Sequence, residues 1–303
     1  MQEINVTRHL PSVLVIIVTY NGMKWIDKCL GSLEAITIPH NIYVVDNGST
    51  DGTQDYIKEH FPQTIFVQSP KNLGFGKANN LGLKYAIKHE YDYVYLLNQD
   101  AWLMTGTLEK LIDIQNKNPE YGILSPFQMQ ANMCKLDTHF VKDVCIYNNP
   151  YLLSDFYFQK QETIYDVPFV MAAHWLISKD CLSKVGGFSP TFPHYGEDDN
   201  YCDRVLYHGF RIGIVPACKA VHDRADREET KERSIYMNYI RGLVLSSNIE
   251  SRLWPVKVIF NTLKTSIQCN SFVPFYDLLK LLSSIRTIKR NRTKGMKETC
   301  PFL

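Results

Sequence analysis

Tyr93-Val94-Tyr95-Leu96-Leu97-Asn98-Gln99-Asp100-Ala101 passes from unbroken apolar character to amide, amide and carboxylate within a few residues. Aromatic, β-branched and aliphatic side chains in continuous run predict a central strand covered on both faces. In an open α/β sheet, ligands gather outside the carboxyl ends of the strands. Asp100 stands at such an end, held by the sheet yet beyond its packed layer, where it can be aimed at a metal ion or a ligand. The same polar residues would also serve a plain turn before a helix started by Thr105 or Thr107, so the neighbouring segments decide.

Upstream, Val13 to Val18 is a second buried strand, ending in Thr19-Tyr20-Asn21-Gly22, and Trp25, Ile26, Cys29, Leu30 and Leu33 follow at helical spacing. Ile42 to Val45 repeats the pattern and ends in Asp46-Asn47-Gly48-Ser49-Thr50-Asp51-Gly52-Thr53, with Ser49 or Thr50 as a cap for the next helix. Thr64 to Gln68 predicts a third strand of the series, followed by Asn72-Leu73-Gly74-Phe75-Gly76-Lys77-Ala78-Asn79-Asn80 and a helix. Strand, polar turn and helix in repetition build an α/β domain with a Rossmann-like, mostly parallel central sheet and flanking helices.

Downstream, Gly122 to Pro126 predicts a strand, and residues 127 to 165 show no stable period and are expected as short strands and loops. Phe169 to Ile177 is apolar, Ser178 starts a short helix ending near Gly186-Gly187, and Glu197-Asp198-Asp199 opens a helix with acids in its first turn. Phe210 to Val215 predicts a strand leading to His222. Asp223 to Arg233 is almost entirely charged and reads as a solvated segment or a lid. Two apolar helical patterns, 235 to 268 and 271 to 287, end in a basic run, which suits core packing or a peripheral membrane contact. The expected division is one domain over 1–225, with a first half over about 11–115 and a second over about 116–225, and a helical extension over 226–303.

At 303 residues with 45% hydrophobic and 21% charged, the chain has the composition of an ordinary folded protein. A net charge of +2 and a basic tail without aromatic interleaving give no case for nucleic acid. The eight cysteines are dispersed without zinc spacing and suit free thiols in a reducing compartment. With no run of 18 apolar residues and no signal-peptide pattern at the start, a cytoplasmic location is expected, with association at the inner face of a membrane as the variant.

Acids concentrate at Asp46 and Asp51, at Asp100, and at Glu197-Asp198-Asp199. Carboxylates drawn into one crevice repel one another unless a cation sits among them, and Mg2+ or Mn2+ among oxygen ligands would recruit a diphosphate. Neither a GxxxxGK[ST] loop nor a GxGxxG turn follows the first strand, which disfavours P-loop hydrolases and nicotinamide dehydrogenases.

Val18-Thr19-Tyr20-Asn21, Val44 to Thr53, Asn72 to Asn80, Leu96 to Asp100, and Gly186-Gly187-Phe188 leading to Glu197-Asp198 and His222 together resemble the inverting family-two glycosyltransferases of GT-A fold, rhamnosyltransferase-like members in particular. The resemblance covers about residues 11 to 225. It implies that Thr19, Tyr20 and Asp46 hold the nucleotide base, and that Asn72, Gly74, Lys77 and Asn79 line the ribose and diphosphate. It implies Asp100 and His222 as metal ligands, Asp198 as catalytic base, and Glu197 as its acceptor-binding neighbour. Asn98 departs from an acid found in many relatives, and Asp199 competes for the role of base. The implied partners are a nucleotide diphosphate sugar, dTDP-rhamnose or a UDP-hexose, and a glycan or lipid-linked glycan acceptor in surface polysaccharide synthesis. The alternatives are a nucleotidyltransferase, which should carry a glycine-rich basic loop after the first strand, and a non-catalytic nucleotide-sugar-binding protein on the same fold.

Overall fold

The computed structural model describes residues 10–224, 230–248 and 253–303. The middle of the expected lid, 225–229, and a part of the first C-terminal helical pattern, 249–252, lie outside the described residues.

β1 (Val13–Thr19), β2 (His40–Asp46), β3 (Ile65–Gln68) and β4 (Tyr93–Asn98) pair in parallel, in the spatial order β3-β2-β1-β4. Side chains alternate across the sheet, so β1 sends Leu14 and Ile16 to one core and Val13, Val15 and Ile17 to the other. α3 (Phe75–Lys88) covers the first face. Its Gly82 lies so close to β1 that a Cβ there would stand 2.7 Å from Ile16. α1 (Ile26–Gly31), α2 (Thr53–His60) and α4 (Thr107–Lys117) contribute Leu30, Ile57 and Leu111 to the second. This is the α/β sandwich that the apolar strand runs predict.

Beyond β4 the sheet changes character. After β5 (Ala101–Leu103) and β6 (Tyr121–Met129), the 127–165 segment proves largely helical: a π-helical stretch at Phe140–Ile146 and α5 (Tyr151–Tyr157). This corrects the expectation of short strands, of which an isolated bridge Met129–Leu136 and β7 (Tyr165–Asp166) survive. β8 (His174–Ser178) then inserts antiparallel between β4 and β6. α6 (Lys179–Val185) is capped by the Ser178 hydroxyl, which accepts from the Cys181 N–H, and α7 (Glu197–Tyr207) brings the acid cluster.

β9 (Arg211–His222) is one long strand, paired with β6 on one side and with β5 on the other. Its register against β6 slips between Val215 and Lys219, so residues 216–218 bulge out. The bulge lets one strand serve two partners and carries His222 opposite Ala101. The described residues of the C-terminal region hold four helices where two apolar patterns are legible: α8 (Lys231–Ser247), α9 (Trp254–Cys269), α10 (Val273–Ser283) and α11 (Ile285–Lys297). Asn270, in the left-handed region at φ 44°, ends α9. Ile240, Leu243, Leu281 and Ile288 form a core of their own there, which also takes in Phe192. None of the described helices is long and apolar enough to cross a membrane. The eight cysteines are all free.

Candidate active site

Asp100 and His222 meet because β5 and β9 pair. Ala101 lies opposite His222, and the Asp223 N–H donates to the Asp100 carbonyl at 2.8 Å. The side chains follow, with His222 Nε2 3.5 Å from Asp100 Oδ1. Burial works to raise the Asp100 carboxyl, but the hydrogen bond from His222, an N–H of its own backbone and the nearby Arg224 outweigh it and leave the carboxyl below its ordinary value. Asp100 is therefore ionised at neutral pH.

Arg224 is the residue that sequence reasoning passed over, because it sits inside a charged run that reads as solvated. Its Nε donates to His222 Nδ1 at 3.2 Å and lies 3.6 Å from Asp137 Oδ2. Asp223 is fixed in turn by the Trp25 indole N–H, which donates to its Oδ2 at 2.9 Å.

The acid cluster reaches the same place from α7. A cavity of about 640 Å³ is lined by Asn98, Asp100, Glu197, Asp198, His222 and Arg224, among others, and Asp199 is not on its wall. Glu197 is 5% exposed, and its Oε2 has no hydrogen-bond partner among the described residues. Burial, then the neighbouring Asp198 charge, pushes Glu197 up to about 8. Burial raises Asp198 too, against hydrogen bonds from the N–H groups of Asp199 and Ala172 and the charge of Arg224. Asp199 rises to about 8 through burial and the charges of Asp198 and Asp203. Glu197 is buried and Asp198 and Asp199 are half-buried; the three consecutive acids influence one another's protons, and Glu197 and Asp198 are the two that line the cavity.

The remaining expected residues stand elsewhere. Asp46 is fully buried and accepts from the Thr19 and Ser49 hydroxyls, the Gly48 and Ser49 N–H groups and the Gln54 amide. Asp51 accepts from the Thr53 N–H and hydroxyl and from the Met23 N–H. The expectation that these two acids join Asp100 in one crevice is therefore corrected: their carboxylates are spent on their own turn, and Gly52 rather than Ser49 or Thr50 occupies the N-cap position of α2. Thr19 is buried with Asp46, and Tyr20 is half exposed, its backbone N–H and C=O both bonded to the Gln99 side chain. Asn72 accepts from the Gly74 N–H, the Asn79 amide donates to the Phe75 carbonyl inside α3, and Lys77 is exposed. None of these seven lines the cavity. Gly74 does border the acid loop: at φ 80° it sits where a Cβ would be 2.8 Å from the Pro193 carbonyl.

A divalent cation finds a partial donor set here. No group of three His, Cys, Asp or Glu side chains converges as a metal site among the described residues. Asp100 fits an ion that takes its other ligands from diphosphate oxygens and water, as Mg2+ does. His222 fits less directly. Its Nδ1 accepts from Arg224, so its Nε2 carries the proton and faces Asp100. Ligation through Nε2 requires the tautomer to change and the Arg224 contact to open.

The profile of the family described as "Glycosyl transferase family 2" matches residues 14–186. The N-acetylglucosaminyl-diphospho-decaprenol L-rhamnosyltransferase of Mycobacterium tuberculosis (strain ATCC 25618 / H37Rv) is 25% identical over 232 residues, covering 70% of this chain and 76% of that protein. The rhamnosyltransferase WbbL of Escherichia coli (strain K12) is 27% identical over 229 residues, covering 69% of this chain and 83% of its own length. In fold, the chain resembles the mannosyltransferase PcManGT from Pyrobaculum calidifontis, solved with GDP-Man and Mn2+, with a TM-score of 0.58 at 19% identity over 95% of this chain and 84% of that one. It also resembles Staphylococcus aureus TarS 1-349, solved with UDP-GlcNAc, with a TM-score of 0.57 at 16% identity over 94% and 83% of the respective chains.

Proposed function

The chain belongs to glycosyl transferase family 2, and on that premise we propose that it moves a sugar, with inversion, from a nucleoside diphosphate sugar to a hydroxyl of a glycan or lipid-linked glycan. The observation that carries this reading is the convergence of an ionised Asp100, the buried Glu197 and the half-buried Asp198 on one cavity. Rhamnose as the transferred sugar and dTDP as its carrier are supported by the rhamnosyltransferase relatives, one of them named for dTDP-rhamnosyl transfer, and a UDP-hexose is the second choice. A polyprenyl diphosphate-linked sugar as acceptor is supported by the name of the mycobacterial relative.

An acceptor hydroxyl is a weak nucleophile, and Asp198 takes its proton as the bond to the anomeric carbon forms. The orphan Glu197 Oε2 orients the same hydroxyl, donating or accepting according to its proton. One base and no covalent sugar intermediate suffice for displacement with inversion. Asp100 and, after release from Arg224, His222 would hold Mg2+ or Mn2+, whose contribution is to neutralise charge developing on the leaving diphosphate. Arg224 adds a guanidinium on the same side of the cavity. Tyr20, Asn72 and Lys77 stand on the exposed side of the first three turns, where they would border the nucleotide, while Thr19, Asp46 and Asn79 hold those turns in shape.

The test is transfer itself. The protein is incubated with dTDP-rhamnose or UDP-hexoses and a polyprenyl diphosphate N-acetylglucosamine acceptor, and the anomeric configuration of the product is read by NMR. Inverted product from dTDP-rhamnose supports the full reading, inverted product from a UDP-hexose alone replaces the donor, and retained configuration contradicts the mechanism.

A further inference from the structure

The apolar surface that nothing in the catalytic account uses lies on α9 and α10. Val256, Phe260, Leu263 and Ile267 recur at helical spacing along one side of α9, and all are exposed, Ile267 at 80%. The opposite side, with Val258, Thr262 and Thr265, is the buried one. After the turn at Asn270, α10 presents Phe272, 87% exposed, together with Tyr276 and Leu279, and buries Pro274 and Leu281. Two adjacent helices thus turn their larger apolar side chains outward and pack through a few small or short contacts. An apolar area of this extent marks an interaction surface.

Charge decides which partner it suits. From Leu253 to Lys297 the chain carries nine lysines and arginines against the single acid Asp277, a local +8 in a chain whose total is +2. Lys257 and Lys264 border the apolar side of α9, each one residue from a member of the stripe, and Lys280 follows Leu279 on α10. α11 turns Arg286, Lys289 and Arg290 outward around a buried Ile288. A second copy of the chain would bring +8 against +8, with half-buried Asp277 as the only acid to offset it. An anionic surface with an apolar layer beneath it satisfies both features at once.

We propose that the α9–α10 hairpin and the basic helix after it dock onto an anionic phospholipid bilayer, with the aromatic and aliphatic side chains entering the headgroup boundary. The platform is coupled to the catalytic cavity. α8 packs between α9 and the acid loop, the Tyr236 hydroxyl donates to the His194 carbonyl at 2.9 Å, and a Cβ on Gly196 would lie 2.8 Å from Val244. Docking therefore holds Glu197 and Asp198 at a fixed distance from the lipid surface, where a lipid-borne acceptor would present its sugar. The docking itself stands independently of donor and acceptor identity.

The test is co-sedimentation of the full chain with vesicles, without donor or acceptor. Phosphatidylcholine vesicles are compared with vesicles that also hold phosphatidylglycerol, each at low and high salt. The proposal expects the protein to pellet with the mixed vesicles, roughly tenfold less with phosphatidylcholine alone, and to be partly released by salt. Phe260→Glu with Phe272→Glu, and separately Lys257→Glu with Lys264→Glu, should each reduce pelleting by roughly tenfold while melting as the wild type does. A wild-type chain that remains in the supernatant with mixed vesicles overturns the proposal. So does a discrete dimer, seen without vesicles and abolished by the Phe260 and Phe272 pair, because it assigns the face to a second copy.

Discussion

Arg224 donates through Nε to His222 Nδ1 at 3.2 Å, and this contact determines that the proton of His222 sits on Nε2, facing Asp100 3.5 Å away. An arginine thereby stands beside the expected metal ligand as a second, permanent cation in the cavity. With the neutral amide Asn98 before it, Asp100 is the lone carboxylate of the Asn98-Gln99-Asp100 strand end, and the Arg224 guanidinium lines the same cavity as a fixed positive charge.

Arg224→Ala should weaken donor binding by roughly tenfold or more, since a planar guanidinium reads phosphate oxygens in pairs, and Arg224→Lys should recover only part of it. Chelation of divalent ions should cost the Ala variant more affinity than it costs the wild type, because one cation then has no substitute. Titration calorimetry with and without EDTA measures both. Equal binding by the Ala variant and wild type in EDTA would contradict the role.

Asp198→Asn should cut transfer by about 10²–10⁴, the usual worth of a general base, with donor affinity unchanged. Asp199→Asn should transfer at a rate close to that of the wild type, as Asp199 is not on the cavity wall. Single-turnover kinetics at saturating donor distinguish the two, and the reverse ranking would move the base to Asp199.

The acid cluster also sets a pH dependence. Glu197 is raised to about 8 chiefly by burial, so the folded state holds a proton that the unfolded chain releases at the ordinary carboxylate value of 4.5. The stability this contributes is complete below that value and is lost as pH rises through about 8. Glu197→Gln should therefore melt close to wild type near pH 5 and higher than wild type near pH 9, each kcal/mol being worth roughly 2–4 °C. Activity should fall in the same variant, because the cavity loses a carboxyl beside Asp198. Melting curves and rates across that range check both directions.

Gly74→Ala should cost about 1–3 kcal/mol, because φ is positive and the added methyl meets the Pro193 carbonyl. Gly106 has the same backbone hand, with φ 75° and open space around it. Gly106→Ala, at ψ 2°, measures the milder left-handed strain, so a larger loss at Gly74, at ψ 169°, combines the glycine-only backbone with the contact to the acid loop.

Much of the fold is legible locally. β1, β2 and β4 announce themselves as unbroken apolar runs, and α7 by acids at its start, because burial on two faces and the helix field act on neighbouring residues. The π-helical stretch and α5 escaped because Asn148-Asn149-Pro150 interrupts the period between them, and the C-terminal patterns hid the end of α8 at Ser247 and the break at Ser284. The site was legible in its acids and not in its assembly. Asp100 and His222 meet only through β5–β9 pairing and the 216–218 bulge, which no local period encodes. Asp46 looked like a ligand because an acid at a strand end is normally free, whereas here three donors of the turn, the Thr19 hydroxyl of β1 and the Gln54 amide of α2 all bind it. Arg224 was hidden by its charged neighbours.

The central claim, that Asp100 anchors a nucleoside diphosphate sugar beside the base Asp198, is tested most directly by calorimetric titration of dTDP-rhamnose and the UDP-hexoses, with and without Mn2+, into the wild type and into Asp100→Ala. The account predicts that the wild type binds one of these donors, more tightly with Mn2+, and that Asp100→Ala loses roughly tenfold or more of that affinity while remaining folded. A folded wild-type chain that binds none of them, or an Asp100→Ala variant that binds as tightly as the wild type, would contradict it.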